Sequence, residues 1–535
     1  MNMTYGADPW WKILFDSKKT RNIFGQEPNN QEYELGGIPN YDHYHQQTAD
    51  DFRIDGITWN DLEMDKIFRR INLCESSVGE EYLYSLLHYP CAADDKQEER
   101  EELIQWLVSH PEDRIQIQDI LYHLGRLSYN GLPFYLFHAD TKKLKNRTLY
   151  YVLGALPAIF ALVTIFNEPL GIIGLVFSVL INLIVYHAQK IFLDAEIRTM
   201  HYLLALLACA NRLLKYEKLD WNHNVKKIKL ALPAFRKIGG SISGLMHRQI
   251  DIIDALIQFI KALFMWDIIQ YDKVIRIVAR HSSELNEIYQ GVAELDVSHS
   301  IASFRHSLPL FCTAQYTEEN KIIFEDLYHP LLKNAVQNSG EISRNSIITG
   351  SNASGKSTFL KSLAVNAILA MTIHTCCATK FVLRRSPVLT SMALRDNIVS
   401  GESYFITEIK SLKRILERIR TGPCICFIDE ILRGTNTYER IAASIAVLKN
   451  MDKHSDNCLC VIATHDLELT VELQSSFDNL HFSEIFEDNK VDFDYKLKNG
   501  PARTMNAILL LEALGFDPEI IEAARSNYAR IQNKY

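Results

Sequence analysis

Residues 350–358 read Gly350-Ser351-Asn352-Ala353-Ser354-Gly355-Lys356-Ser357-Thr358, and this stretch decides the fold of the C-terminal part of the chain. A glycine, four residues, then Gly-Lys-Ser is the spacing of a phosphate-binding loop. Before it, Ser346-Ile347-Ile348-Thr349 predicts the end of a strand. After it, Thr358 to Ile373 predicts a helix with Phe359, Leu360, Leu363, Ala364 and Ala367 on one face. Strand, loop and helix are the context the motif needs. Backbone N–H groups at a helix start point at phosphate oxygens, and the helix dipole favours the negative charge. In such a loop the lysine, Lys356, reaches the β- and γ-phosphates of ATP, and the Ser357 hydroxyl sits on Mg²⁺. All nine residues, Gly350 to Thr358, are candidate nucleotide ligands.

Three later segments extend this reading. Cys424-Ile425-Cys426-Phe427-Ile428 is a short apolar run ending in Asp429-Glu430. A buried parallel strand has this composition, and ligands of α/β folds bind at the carboxyl ends of such strands. Asp429 is the candidate Mg²⁺ holder, and Glu430 the candidate general base for an attacking water. A second apolar run, Cys458 to Ala463, ends in Thr464-His465, which predicts a histidine at the same sheet edge, near the γ-phosphate. Finally, Ser400-Gly401-Glu402-Ser403-Tyr404-Phe405 precedes a predicted helix carrying Ile406, Ile409, Leu412 and Leu416. A small-residue turn at a helix start is a second candidate anion site, with Ser400, Gly401 and Ser403 in it.

These blocks resemble those of the MutS family of mismatch-repair ATPases. Asp429-Glu430-Ile431-Leu432-Arg433-Gly434-Thr435-Asn436-Thr437 is similar to the family's D-E-x-x-R-G-T-x-T block. Ala463-Thr464-His465-Asp466-Leu467-Glu468-Leu469-Thr470 is similar to its A-T-H-x-x-E-L-T block. Thr349 to Thr358 is similar to its T-G-P-N-x-G-G-K-S-T loop, with Ser351 in place of proline and Ser354 in place of glycine. Upstream, Ala293 to Val297 with Ser300-Ile301-Ala302, Tyr328-His329-Pro330 and Leu62 to Pro90 resemble the family more weakly. Met64, Ile67, Phe68 and Ile71 of the last segment share a helix face, and Ser77 with Glu80 suits a capping box.

The resemblance implies an α/β P-loop (ABC-type) ATPase domain, a mainly α-helical core, and two ATPase domains paired head to tail in a homodimer. Lys356, Ser357, Asp429, Glu430 and His465 of one copy would then face the Ser400–Ser403 turn of the other. The implied division is a loop-rich arm over 1–55, helical core over 56–145 and 191–310, ATPase domain over 311–515 and a terminal helix over 516–535. One family feature is missing. The mismatch reader carries a Phe-x-Glu wedge, and no Phe-x-Glu occurs before residue 480; Phe482-Ser483-Glu484 lies in the ATPase region. Only some 55 residues precede the core-like helices, and residues 20–51, rich in Gln, Asn, Gly, Tyr and His, predict a loop or extended arm. DNA binding without mismatch reading is the expectation.

Residues 146–190 have no counterpart in this scheme. Leu149–Phe166 and Leu170–Tyr186 are two apolar runs joined by Asn167-Glu168-Pro169, with Glu168 the only charged residue. Each approaches the ~20 residues needed to cross ~30 Å of hydrocarbon. Lys142, Lys143, Lys145 and Arg147 precede the first run and Lys190 follows the second, while the connecting turn has no Lys or Arg. The positive-inside rule then keeps both arms in the cytoplasm and predicts a multi-pass protein of the cell membrane. Gly154, Gly171 and Gly174 suit close helix packing. The competing reading is a helical hairpin buried in a soluble core. No signal peptide is expected, since Asp8, Trp10 and Trp11 stand where a basic start and apolar stretch would lie.

Across 535 residues the formal net charge is −8, which argues against tight nonspecific DNA binding by the chain as a whole. Lys226, Lys227, Lys229, Arg236 and Lys237 form a local basic run that suits a solvated helix face or anionic lipid. The Cys424/Cys426 and Cys458/Cys460 pairs have a spacing that could suit zinc, but small buried cysteines are common in apolar strands. Residues 252–269 have helical apolar spacing too broken by Asp254, Lys261 and Asp267 for a third membrane span. Gly515 predicts a helix stop, with Asp517 as cap and Pro518 in the first turn of a final helix. Two functions fit: a membrane-anchored ATPase whose dimer closure is coupled to DNA, or a membrane mechanochemical ATPase that acts on a protein or membrane partner without DNA.

Overall fold

The computed structural model describes residues 24–28, 34–48, 51–90, 94–127, 129–236, 238, 259–351, 354–392, 404–487, 490–502, 508, 511–512 and 515–532. In chain order, α1 (Asn40–His45), α2 (Gly56–Asp61), α3 (Met64–Ile71), α4 (Ser77–His88), α5 (Asp94–Ser109), α6 (Pro111–Leu124) and α7 (Leu132–His138) precede two apolar helices, α8 (Arg147–Phe166) and α9 (Glu168–Leu214). Then come α10 (His223–Ala231), α11 (Trp266–Arg280) and α12 (Ser282–Ser307). Strands follow: β1 (Gln315–Tyr316), β2 (Ile322–Leu327), β3 (Asn338–Ile342) and β4 (Ser346–Thr349), then α13 (Lys356–Ile373), β5 (Lys380–Leu383) and β6 (Val388–Ser391). The remainder runs α14 (Tyr404–Thr421), β7 (Cys424–Asp429), α15 (Thr437–Asp452), β8 (Cys458–Ala463), α16 (Leu467–Glu472), β9 (Asp478–His481), β10 (Glu484–Glu487), β11 (Lys490–Phe493), β12 (Lys498–Asn499) and α17 (Pro518–Gln532). The chain forms two compact units: Met1–Asp50 with Asn72–Ser85 and Glu98–Ser303, and Asp51–Ile71 with Leu86–Gln97 and Phe304–Tyr535.

The second unit is mixed α/β. Its main sheet has the order β12-β9-β4-β8-β7-β6, parallel except at β12. Every residue of β4 and β8 is buried, as expected of the apolar run Cys458–Ala463 in β8 and of Ile347-Ile348 at the centre of β4. Helices α14 and α15 supply Leu412, Ile415, Ile419, Leu448 and Met451 to the core against β7 and β8. A second sheet has the order β1-β5-β2-β3. Met64, Ile67, Phe68 and Ile71 of α3 are fully buried. Two amphipathic expectations need correction. Helix α13 is buried along nearly its whole length and on more than the one face that its spacing suggests. In α14 the buried stripe is Leu412, Ile415 and Ile419, while Ile406 and Ile409 are exposed. At the chain end Gly515 takes a left-handed φ of +76°, and Asp517 Oδ1 accepts from Glu519 N at 3.0 Å, capping α17.

The first unit is helical, and a buried carboxylate ties two of its helices together. Asp296 of α12 accepts from Glu75 N (2.8 Å), Ser76 N (2.9 Å) and Ser76 Oγ (2.5 Å), at the start of α4. Ser76 Oγ in turn accepts from Gly79 N at 3.1 Å, so the cap of α4 is Ser76 and not Ser77; the Ser77 hydroxyl accepts instead from Leu127 N at 2.7 Å. Burial pushes the Asp296 carboxyl up to about 7 against these three donors. Arg100 forms a buried fork with Glu294 (2.9 and 2.8 Å), and Tyr82 Oη donates to the same carboxylate at 2.8 Å.

The arm also departs from a simple loop. Residues 40–45 form α1, whose Tyr41 is buried and stacks on Tyr289 with centroids 5.0 Å apart. A tertiary contact has overridden a turn-rich local sequence.

Helices α8 and α9 pack antiparallel around the Asn167 turn, where the Asn167 side chain accepts from Leu170 N at 3.3 Å. The pair is mostly uncovered: Ile165 is 75% exposed, Phe166 90%, Ile173 69% and Ile184 70%. Among the described residues, Arg147–Phe166 and Glu168–Gln189 are the two stretches long and apolar enough to cross a membrane. Helix α9 does not end at the apolar boundary. It continues for 47 residues, and its later part buries Met200, Leu203, Leu206, Ala210 and Leu213.

Candidate nucleotide site

The register of three adjacent parallel strands assembles the site. Ile348 of β4 pairs with Ala463 of β8, and Ala463 pairs with Asp429 of β7. The next residues therefore lie at one level: Thr349 ends β4 before the phosphate-binding loop, Thr464 precedes His465, and Glu430 enters the turn after β7. Thr464 N donates to Ile348 O at 3.0 Å and Glu430 N to Ala463 O at 2.8 Å, which locks that edge.

The loop turns at Gly350 (φ +144°) and Gly355 (φ +99°), conformations that side chains other than glycine rarely adopt. A Cβ at Gly350 would lie 2.7 Å from Phe482 O. Lys356 begins α13 and folds back over the loop, its Nζ donating to Gly350 O and Ser351 O, both at 2.6 Å. Burial lowers its pKa, while Glu430 and Asp429 pull it upward. Ser354 Oγ donates to Ser351 O at 2.7 Å, so the serine that stands in the family's glycine position braces the loop. Ser357 and Thr358 are exposed on the first turn of α13.

Asp429 and Glu430 sit in different electrostatic surroundings. Burial raises the Asp429 pKa, and the adjacent Ser357 hydroxyl opposes the rise. Its Oδ1 and the Ser351 Oγ are buried with no hydrogen-bond partner. Burial would raise Glu430 too, but His465, Arg433 and Lys356 outweigh it and hold the carboxyl below its usual range. Arg433 forms an ion pair with Glu430, and His465 Nδ1 lies 3.5 Å from Glu430 Oε1. Approach to Glu430 raises the His465 pKa against the effect of burial. Glu430 and Leu432 have left-handed φ values of +56° and +57°, a backbone conformation that costs about 1–3 kcal/mol per residue. A buried carboxylate, Glu408 of α14, supports this turn by accepting from Arg433 N at 3.1 Å.

The structure brings Gly350, Ser351, Ser354, Gly355, Lys356, Ser357, Thr358, Asp429, Glu430 and His465 to this one edge. Asn352, Ala353, Ser400, Gly401 and Ser403 lie outside the described residues. Sequence reading left out Arg433, Glu408 and the fork from Arg440 to Asp466 (3.0 and 2.7 Å), which anchors the residue beside His465. Arg433 and Asp466 were visible within the two sequence blocks but had no assigned part. Glu408 carries no local signal, since its partners are backbone groups 24–26 residues away. His329 is buried, and burial followed by Lys361 depresses its pKa to about 4. The Cys424, Cys426 and Cys458 sulfurs lie within 4.8 Å of one another inside the apolar core, and Cys460 Sγ rests 3.8 Å from Met451 Sδ.

A mixed α/β sheet whose chain also carries a helical core defines the class. Residues 346–532 match the family described as MutS domain V. The DNA mismatch repair protein MutS of Pseudothermotoga lettingae is 28% identical over 277 residues, 49% of this chain and 33% of that protein. Residues 346–532 are thus similar to MutS domain V, and the chain spans about a third of the length of that curated relative.

Proposed function

We propose that the protein is a membrane-anchored, Mg²⁺-dependent ATPase of the MutS type, working as a homodimer and coupling ATP-driven closure to DNA. The observation that carries this reading is the strand register that gathers Lys356, Asp429, Glu430 and His465 at one sheet edge. The loop backbone and Lys356 would bind the phosphates, exchanging the lysine's two carbonyl contacts for phosphate oxygens. Glu430, kept ionised by Arg433 and His465, would accept a proton from the attacking water. His465 would stay close to the γ-phosphate and orient Glu430. Ser357 and Asp429 would hold Mg²⁺: they are hard oxygen donors, and Asp429 Oδ1 is buried without a partner. When bound, the ion would neutralise phosphate charge.

The composite site is carried over from the family likeness. The Ser400, Gly401 and Ser403 turn of a second copy would close over the γ-phosphate. Helices α8 and α9 would cross the cell membrane, with the ATPase domain in the cytoplasm; their exposed apolar faces support this. Phosphate contacts position a protein on DNA without reading bases, so little mismatch preference is expected of this stretch of chain.

The test is ATP turnover in detergent, with and without DNA. Glu430→Gln should retain nucleotide binding and lose about 10²–10⁴-fold in hydrolysis. Wild-type turnover in that variant removes Glu430 as the base. Turnover unaffected by any DNA favours the reading in which the ATPase acts on a protein or membrane partner.

A further inference from the structure

We infer that residues 259–266, a helical end followed by a turn, reach into the lipid bilayer beside the α8–α9 hairpin, with Phe259 and Ile260 against hydrocarbon. This rests on the proposed membrane insertion of the hairpin and adds a third lipid-contacting element to it.

Two independent contacts fix the depth. Gly154 lies seven residues into α8, about 10 Å along the helix from Arg147 at a rise of 1.5 Å per residue. A Cβ there would lie 2.6 Å from Phe264 O, so the 259–265 backbone rests directly on this glycine. On the other helix, Asn182 lies seven residues before Gln189, the end of the second apolar stretch, again about 10 Å in. Its Nδ2 donates to Leu263 O at 2.7 Å. Both helix ends used as reference belong to the open end of the hairpin, away from the Asn167 turn. The Leu263–Phe264 backbone therefore lies about 10 Å inside any slab that the two helices span.

The polar groups are arranged as that environment requires. Pro157 has no N–H, which leaves Leu153 O without its helical partner. Asn182 Nδ2 also donates to that carbonyl, at 2.8 Å. One side-chain amide thus satisfies two backbone acceptors that hydrocarbon could not satisfy. Lys261 and Asp267 are both buried, with Lys261 Nζ 3.6 Å from Asp267 Oδ1, and Tyr186 Oη donates to Asp267 Oδ2 at 2.7 Å. Ionisable groups at membrane depth face the protein interior and pair with one another, and these do. Two apolar side chains of this segment face outward: Phe259 is 45% exposed and Ile260 46%. Trp266, 45% exposed, follows the turn, and its ring suits the membrane–water boundary.

The test uses the full chain in phosphatidylcholine liposomes that contain a lipid with a diazirine on its acyl chain. Irradiation is followed by mass-spectrometric mapping of the labelled residues. Labels within 149–186 and also on Phe259 or Ile260 are expected. Labels on the hairpin with none on 259–266 overturn the inference and leave the membrane reading standing. No label on either removes both. In Gly154→Leu the larger side chain should expel the turn, cutting label at 259–260 at least tenfold while the hairpin keeps its own. Unchanged label at 259–260 in that variant also overturns the inference.

Discussion

Gly79→Ala sets two effects of opposite sign against each other. By helix propensity alone the change favours α4 by at most about 1 kcal/mol. The structure says otherwise. A Cβ at position 79 would lie 2.3 Å from Asp296 Oδ2, 2.6 Å from its Cγ and 2.8 Å from its Cβ. Asp296 cannot swing away cheaply, because Glu75 N, Ser76 N and Ser76 Oγ all donate to it. Overpacking of this kind costs about 1–3 kcal/mol. A weakened hydrogen bond to a carboxylate adds about 1.5–3 kcal/mol. After the propensity gain, the net should be a local destabilisation of about 1.5–5 kcal/mol. The unit is one of two in the chain, so a global melting point is the wrong observable. Hydrogen exchange of peptides covering 72–88 and 290–300 reads the junction itself. Exchange there should quicken by about 10- to 4,000-fold, at 1.4 kcal/mol per tenfold. Unchanged or slower exchange in both peptides would show that the Asp296 anchor is soft and that the close approach carries no energy.

The site, the helical core and DNA binding give three further expectations. His465 loses its proton at a raised pH because of Glu430; in Glu430→Gln burial acts without that partner, so diethylpyrocarbonate should modify His465 at lower pH than in the parent. The stabilisation that protonated His465 draws from Glu430 is present below its ordinary pKa of 6.5 and is lost as pH rises through the raised value. Arg100→Ala leaves Glu294 buried beside Tyr82 without its cation and should destabilise the helical unit by about 3–5 kcal/mol, read from exchange protection of α5 and α12. DNA affinity should fall steeply with added salt and differ little between matched and mismatched duplexes in a competition assay.

What could be read in the chain followed from how local the signal was. Cys424–Ile428 of β7 and Cys458–Ala463 of β8 are runs of consecutive apolar residues buried on both faces, so composition and structure coincide there. The phosphate loop was legible because its glycines and lysine are required by a backbone path a few residues long. Helix α1 was not, since Tyr41 is held by Tyr289, which lies far along the chain. The Ser76 cap was misread as Ser77 because the distinguishing contact comes from Asp296. Charge at Asp254, Lys261 and Asp267 argued against a third membrane span over 252–269, and a linear reading cannot see that Lys261 and Asp267 pair in space. Among the site residues, Glu408 acts on a turn remote in sequence through backbone N–H groups, which leave no residue type to recognise.

The uninterrupted course of α9 has a mechanical meaning. At 1.5 Å per residue its 47 residues form a rod about 70 Å long. Ser178, Asn182 and Tyr186 are buried along one side of the first part, and Met200, Leu203, Leu206, Ala210 and Leu213 along one side of the last. With about 3.6 residues per turn, the angle between these two stripes depends on the number of residues between them. One residue inserted between 187 and 199 would rotate one stripe against the other by about 100° while lengthening the rod by only about 1.5 Å. Seven residues would lengthen it by about 10 Å and return the stripes to within about 20° of their original phase. The helix therefore behaves as a torsion shaft whose angular setting, more than its reach, matches the hairpin to the helical core.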